Sequence, residues 1–107
     1  MSKNYLGEFE ELVLLIVGAL QEEAYGNNIM QEIIDRTGRQ VNLSAVHITL
    51  YRLEDKGYLK SDMSDPSPVR GGRRKRIFRL TSAGVKVLRE QQEQRIALWQ
   101  LIPQLKF

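Results

Sequence analysis

Apolar residues recur at helical spacing through the first part of the chain. The segment Glu8–Leu20 is apolar on nearly every side in its middle, and its acids are confined to the first turn, where a helix N-terminus favours them. This pattern predicts a helix that is buried on most sides. A second helix is predicted over about Tyr25–Thr37, because apolar residues mark one face and Gly38 provides a C-terminal stop.

A third helix is predicted to begin at Asn42 or Ser44, since either side chain can cap a helix, and to continue to Gly57. Its core stripe follows three- and four-residue steps and consists of Leu43, Val46, Leu50 and Leu53. The opposite face begins with small side chains and continues with aromatic and basic ones. The third helix is therefore predicted to turn one face to the core and the other to solvent.

Alternating polar and apolar residues predict two strands, at Tyr58–Met63 and Arg76–Leu80. The residues between them are rich in Pro, Gly, Ser and Asp, so we expect a β-hairpin with a long basic tip. Thr81 is a good N-cap for a last helix that starts near Ser82 and that Pro103 ends or kinks. Heptad-like steps along this helix connect Val85, Leu88, Arg95, Trp99 and Ile102.

The order helix, helix, helix, strand, strand, helix predicts a mainly α chain with a small β-hairpin. This is the order of a winged helix-turn-helix followed by a long C-terminal dimerisation helix. We assign residues 1–81 to the winged helix-turn-helix domain and residues 82–107 to the dimerisation helix. A chain of 107 residues fits one compact unit of this kind, and so small a core gains from further burial in a dimer.

Composition restricts the chemistry that the chain can perform. It has no cysteine and one histidine, which leaves only carboxylates for a metal site, so we expect no metal and no cofactor. Ser44 and His47 lie three residues apart but lack a third catalytic group and an oxyanion loop, so we do not expect an enzyme. The longest apolar stretch is far shorter than the ~20 residues that cross a bilayer. We expect a cytoplasmic protein without a membrane partner.

Charge is polarised along the chain. Residues 1–35 carry one Lys against seven acids, a net −6, whereas residues 36–107 carry fifteen basic residues against six acids, a net +9. Six cations occur within ten residues of the predicted hairpin, without an acid among them: Arg70, Arg73, Arg74, Lys75, Arg76 and Arg79. We favour phosphate contact as the reason for this cluster, over a solvated charge run or, with no apolar face beside it, a membrane surface.

The exposed face of the predicted third helix fits the second helix of a helix-turn-helix, which enters the major groove of DNA. The predicted base contacts are Ser44, Ala45, Ile48 and Thr49. Ile48 suits a thymine methyl group, and Tyr51 and Arg52 are long enough to reach phosphates or a guanine. The alternative for this segment alone is an ordinary solvated helix face.

The end of the last helix carries more apolar surface than one helix can bury against so small a domain, so we expect it to pair with a second copy. The predicted dimer contacts are Leu88, Arg95, Trp99 and Ile102. A two-fold dimer would hold two recognition helices roughly 34 Å apart and bind a palindromic operator. The same region also fits a pocket in which Phe9 and Trp99 contact a small aromatic or lipophilic effector.

Several short motifs in the chain resemble those of the PadR family of transcriptional regulators, in the short subgroup with a single C-terminal dimerisation helix. The similarity runs from about Leu6 to Leu88, and its landmarks are Tyr25-Gly26 with Ile29 and Ile33, Leu50 with Arg52-Leu53-Glu54, Gly57-Tyr58-Leu59, and Gly71-Gly72-Arg73 through Phe78-Arg79-Leu80-Thr81 to Gly84. The resemblance implies a winged helix, a homodimer, binding to double-stranded operator DNA near a promoter, and repression that a small molecule relieves.

His47 departs from the family, which commonly has a tyrosine that contacts the DNA backbone at this position. Either His47 donates a hydrogen bond to a phosphate in its place, or it is a partly buried residue on the flank of the helix. We predict a homodimeric, sequence-specific DNA-binding regulator that acts as a repressor. The alternative is a winged-helix module for protein interaction or ligand sensing without operator binding, which would not require a basic hairpin.

Overall fold

The computed structural model describes residues 5–64 and 74–103. Within them, four α-helices and a β-hairpin follow the predicted order: α1 Glu8–Leu20, α2 Gly26–Thr37, α3 Leu43–Asp55, β1 Leu59–Met63, β2 Arg76–Leu80 and α4 Ser82–Trp99. A short 3-10 turn at Gln21–Glu23 lies between α1 and α2. The predicted fold class, mainly α with a small hairpin, is confirmed.

Local hydrogen bonds explain where the helices start and stop. The side chain of Asn42 accepts the N–H of Ala45 at 2.8 Å, so the first of the two predicted caps begins α3. The hydroxyl of Thr81 accepts the N–H of Gly84 at 3.0 Å and caps α4 as predicted. Gly38 ends α2 in the left-handed region, with φ of 71°, a conformation that costs glycine little.

The hairpin is antiparallel, and its register places Ser61 opposite Phe78 and Met63 opposite Arg76. Side chains on directly opposite residues point to the same face of a sheet, so these four share one face. Phe78 is completely buried, which identifies this face as the one turned to the core. Its N–H also donates to the carbonyl of Ala24 at 2.9 Å and joins the hairpin to the chain before α2.

The base of the hairpin is closely joined to α4. Thr81 donates its hydroxyl to the carbonyl of Gly57 at 2.7 Å. A Cβ at Gly84 would collide with the carbonyl oxygen of Tyr58, so the first turn of α4 can approach the hairpin only because residue 84 has no side chain. The direction in which α4 leaves the domain is thus determined at the hairpin base.

The core lies between α1, α2, α3 and the hairpin. Its largest fully buried side chains are Leu6, Val13, Leu14, Val17, Ile29, Ile33, Val46, Leu50, Leu53 and Phe78. The core stripe predicted for α3 is confirmed for three of its four members, whereas Leu43 is only half-buried. Leu15 is 51% exposed, so α1 keeps one apolar side open to solvent in the single chain.

Candidate nucleic-acid interface

The outer face of α3 presents most of the predicted DNA contacts to solvent. Ser44 and Arg52 are exposed, and the exposed fractions of Ile48 and Tyr51 are 58% and 46%. Ala45 is half-buried in the first turn of the helix. These side chains follow one another along the side of α3 that faces away from the core, as a helix that enters a groove requires.

Thr49 lies on the other side of α3. Its exposed fraction is 5%, and it is buried with the core stripe. It follows Val46 by three residues and precedes Leu53 by four, and residues at these spacings are neighbours on one helical face. The prediction that Thr49 contacts a base is therefore wrong.

His47 occupies the flank of α3 and packs against the start of α2. A Cβ on Gly26 would lie 2.8 Å from Nε2 of the imidazole, so the ring fills the space that this glycine leaves. The ring also stacks on Tyr51, with 5.9 Å between the ring centroids and 19° between the planes. The Nδ1 atom is buried and has no hydrogen-bond partner in the described part of the chain. This placement fits the partly buried alternative better than the phosphate donor.

The described end of the hairpin places three of the predicted cations around the strand ends. Arg74 donates from Nε to the carbonyl of Ser64 at 3.0 Å. The ammonium of Lys75 lies 4.3 Å from the ring centroid of Tyr25, next to α2. Arg76 donates from Nη1 to the hydroxyl of Ser61 at 3.0 Å. The other two predicted hairpin contacts, Arg70 and Arg73, lie outside the described residues.

Arg79 belongs to the same run of cations, but it has a local counter-ion. Its guanidinium lies 3.1 Å from the carboxylate of Glu22, and this hydrogen bond raises the pKa of Arg79 further above its already high value. No acid lies within this run of cations in the sequence, but the fold brings Glu22 to Arg79. Among the described residues, Arg74, Lys75 and Arg76 form the rest of the cluster, at the start of β2.

An open cleft of about 440 Å³ lies between the start of α1 and the turn before α3, and Phe9, Gln40 and Ala45 are among the residues that line it. Arg39 donates two hydrogen bonds to Glu8, at 2.7 and 2.9 Å, and its guanidinium lies 5.6 Å from the ring centroid of Phe9. The hydrogen bonds from Arg39 lower the pKa of the Glu8 carboxyl.

A different groove, of about 460 Å³, lies between α1 and α4, where Leu15, Leu88, Arg95 and Trp99 contribute to its walls. A smaller cavity of about 180 Å³ continues along α4 and adds Ile102. All four predicted dimer contacts therefore line neighbouring surfaces of α4. Phe9 lines the separate cleft beside α3, so in a single chain Phe9 and Trp99 do not line the same pocket.

Two polar contacts that sequence reasoning missed hold the start of α1 in place. The carboxylate of Glu10 is 2.8 Å from the ammonium of Lys56, at the end of α3. Burial raises the pKa of Glu10, but the hydrogen bonds from Lys56 and from the N–H of Gly7 outweigh burial, and the pKa is lowered overall. The amide of the buried Gln91 bonds both the N–H and the carbonyl of Leu6, at 3.2 and 3.5 Å. Glu10 and Lys56 are 46 residues apart in the sequence, and Leu6 and Gln91 are 85 residues apart, so no local sequence pattern predicts either contact.

Over residues 5–64 and 74–103, none of the helices has both the length and the hydrophobicity of a membrane span. Among the same residues, no group of three or more His, Cys, Asp or Glu side chains has an arrangement that fits a metal ion.

The chain is similar to a family of known proteins and to several solved structures. The sequence profile of the Transcriptional regulator PadR-like family matches residues 13–90. A PadR family transcription regulator from Clostridium difficile R20291 has a TM-score of 0.73 and 23% identity, over 92% of this chain and 97% of that chain. A Streptococcus transcriptional regulator is 27% identical, with a TM-score of 0.68, over 86% of this chain and 85% of that chain. No curated protein sequence matches the chain significantly.

A PadR family regulator from Eggerthella lenta is also similar, with 26% identity and a TM-score of 0.65 over 87% of this chain and 80% of that chain. The family profile and these structures confirm the resemblance inferred from the sequence motifs. Because the family consists of transcriptional regulators, they also confirm the expectation that the chain is not an enzyme.

Proposed function

Because the chain belongs to the PadR-like family of transcriptional regulators, we propose that it is a homodimeric, sequence-specific DNA-binding repressor, released from its operator by a small molecule. The observation that carries this proposal is the outer face of α3, which is exposed beside a hairpin whose outer end is basic. Residues 1–81 are the DNA-binding domain in this proposal, and residues 82–107 pair the two copies. Binding to chromosomal DNA would place the chain in the cytoplasm.

Specificity in this proposal comes from the first turns of α3. Ser44 and Ala45 are small enough to let the helix approach base edges closely, and the exposed Ile48 offers an apolar surface to a thymine methyl group. Tyr51 and Arg52 lie further along the same face and contact the sugar-phosphate backbone or a guanine. The hairpin cations supply affinity that is independent of sequence, because phosphates are the same along the whole duplex.

Dimerisation is supported by the apolar side chains that α4 leaves exposed. Ile96, Leu98 and Ile102 are each about half exposed, at 46%, 51% and 47%. An exposed apolar surface of this kind, along one end of a helix, is typical of a protein–protein contact. A two-fold axis through α4 would pair the two recognition helices and require a palindromic operator.

Relief of repression would use the groove between α1 and α4. Its walls combine Trp99 and Leu15 with the polar Gln92 and Arg95, a lining that suits a small aromatic or lipophilic molecule. A ligand in this groove would change the packing of α4 on its partner, and so the distance between the two recognition helices. Because the groove is adjacent to the proposed dimer surface, a ligand bound in it would alter the dimer contacts and thereby the affinity for the operator.

The salt dependence of DNA binding tests the basic hairpin. We expect Arg74→Ala to weaken binding to all duplexes and to reduce the steepness of the fall of log K with log salt by about 1, because one phosphate contact is lost. The matched control is Lys86→Ala, which removes one exposed cation from α4, beyond the hairpin base, and should leave the slope unchanged. Adding Arg73→Ala to Arg74→Ala should reduce the steepness by about 2 in total.

Fluorescence anisotropy with labelled duplexes at several KCl concentrations measures these slopes. Equal slopes for Arg74→Ala and Lys86→Ala would remove the hairpin from the DNA interface. Absence of salt-dependent binding by the unaltered chain would overturn the whole proposal and favour a protein-interaction or ligand-sensing module.

A further inference from the structure

We propose that Ser61 is a positioning residue that holds the hairpin in a fixed orientation to α3, through a relay of hydrogen bonds from Arg76 to Ser61 to Glu54. Selectivity for the operator would then depend on a residue that does not touch DNA. This inference rests on the proposed function, because it assigns the relay a role in DNA recognition.

The relay joins three elements of the fold by two short bonds. Ser61, on β1, donates its hydroxyl proton to Oε2 of Glu54 on α3 at 2.7 Å. The hydroxyl oxygen of Ser61 in turn accepts a hydrogen bond from Nη1 of Arg76 on β2 at 3.0 Å. A serine hydroxyl has one proton, so donation to Glu54 turns the oxygen lone pairs towards Arg76. A hydroxyl can both donate and accept here through one atom, whereas a methyl group can do neither.

The register of the hairpin makes this geometry possible. Arg76 pairs with Met63 rather than with Ser61, so Arg76 and Ser61 are diagonal neighbours on the same face of the sheet. Phe78, directly opposite Ser61, is buried, so this face is turned to the core. Glu54 and Ser61 are themselves half-buried, where hydrogen bonds to a charged group are stronger than in water.

The relay adds a polar attachment of the hairpin to α3. A two-stranded hairpin is marginally stable by itself, and its ladder fixes the strands to each other but not to the recognition helix. At its base, the hairpin is fixed by buried Leu59 and by the bond between the Tyr58 N–H and the Leu53 carbonyl, at 3.0 Å. The hydrogen bond from Ser61, in the middle of β1, to Glu54 attaches the hairpin to α3 further out, and Arg76 reaches this attachment only through Ser61.

This contact changes the role of Arg76. Sequence reasoning assigned it to phosphate contact together with its neighbours, whereas the structure commits part of its guanidinium to Ser61. Lys75 makes a separate contact with α2 through the ring of Tyr25 and remains in place when the relay is broken. We therefore expect loss of the relay to misdirect the hairpin without releasing it from the domain.

The first test compares Ser61→Ala with Ser61→Thr, which keeps the hydroxyl. Two labelled duplexes of equal length are needed, one selected by the unaltered chain from a random pool and one of random sequence. For Ser61→Ala we expect about tenfold weaker binding to the selected duplex, a change of less than about twofold on the random one, and an unchanged salt slope. Ser61→Thr should retain the unaltered ratio of the two affinities.

The second test separates the relay from simple electrostatics. Glu54→Gln and Glu54→Leu remove the same negative charge, but only the glutamine carbonyl can accept the hydroxyl of Ser61. The relay predicts that Glu54→Leu loses selectivity and Glu54→Gln keeps it. If charge alone matters, both variants bind every duplex more tightly and by the same factor.

An unchanged affinity ratio in Ser61→Ala, or equal ratios in the two Glu54 variants, would overturn the relay while leaving the proposed function intact. An unaltered chain that selects no preferred duplex would overturn the proposed function instead, and the relay with it. Thermal unfolding of each variant separates a misdirected hairpin from an unfolded domain, and a folded Ser61→Thr that lacks selectivity would also contradict the relay.

Discussion

Helix α4 changes its surroundings halfway along its length. In its first half, Gly84, Val87 and Gln91 are buried against the rest of the chain, and Gln91 is bonded to the backbone of Leu6. From residue 92 to residue 103, every side chain is exposed, including several large apolar ones. The first half therefore belongs to the core of one chain, whereas the second half carries large apolar side chains among polar ones and does not bury them in the single chain.

The difference separates two kinds of stability. In the proposed dimer, the buried residues up to Gln91 stabilise the single chain, and the exposed apolar residues beyond it contribute to the association of two chains. Leu15 on α1 extends the second surface, since it is exposed on the groove that α4 borders. Variants in the first region should consequently lower the stability of the single chain, whereas variants in the second should weaken the association of two chains.

Truncation of the core should have the largest effect. Phe78 is completely buried, so Phe78→Ala should lower the free energy of unfolding by about 3–5 kcal/mol, through lost burial and the cavity that remains. Urea unfolding followed by circular dichroism measures this change. A midpoint equal to that of the unaltered chain would mean that the hairpin is not part of the folding core.

Truncation of the exposed half should instead weaken association. We expect Trp99→Ala to cost at least about 2 kcal/mol of dimer stability, a roughly 30-fold increase in the dissociation constant, because large aromatic side chains dominate most interfaces. Sedimentation equilibrium over a range of concentrations measures the dissociation constant. Gln94→Ala, an exposed polar change on the same helix, is the control. Equal dissociation constants for the two variants would contradict the dimer surface.

The smallest predicted effect concerns the ion pair between α1 and α3. Lys56→Met leaves the buried Glu10 carboxylate without its cation and should cost about 1–3 kcal/mol at pH 7. The folded-state pKa of Glu10 lies below its ordinary value of 4.5, so the pair stabilises the fold above that pH, and this stability is lost as the pH falls through the folded pKa.

The difference between Lys56→Met and the unaltered chain should therefore shrink on acidification below pH 4.5. Arg36→Met is the control, because the pair of Arg36 with Glu32 is on the surface, where solvent screens it and its loss should change stability less. A stability difference for Lys56→Met that does not change between pH 7 and pH 3 would exclude the Glu10 carboxylate as its cause.

Local patterns predicted the elements of the fold well, because spacing and capping act within a few residues. Asn42, Gly38 and Thr81 occupy the ends of helices at the expected places. The burial of Thr49 does not fit the predicted base contact, because its spacing from Val46 and Leu53 places it beside the core stripe.

Contacts between elements could not be predicted in this way. The Ser61 relay depends on the register of the hairpin and on its packing against α3, and Glu10 meets Lys56 across 46 residues. Phe9 lies in the first turn of α1 and Trp99 at the end of α4, yet they line different cavities. The cavity that each side chain lines is decided by the packing of the whole domain.

The stoichiometry of the complex with a selected duplex tests most directly whether the chain binds DNA as a homodimer. Sedimentation equilibrium should find two 12.4 kDa chains on each duplex, and the selected sequences should have two-fold symmetry with half-sites about one helical turn apart. One chain bound to a site without symmetry would contradict the proposed dimer, because the exposed half of α4 would then have no role in pairing two recognition helices.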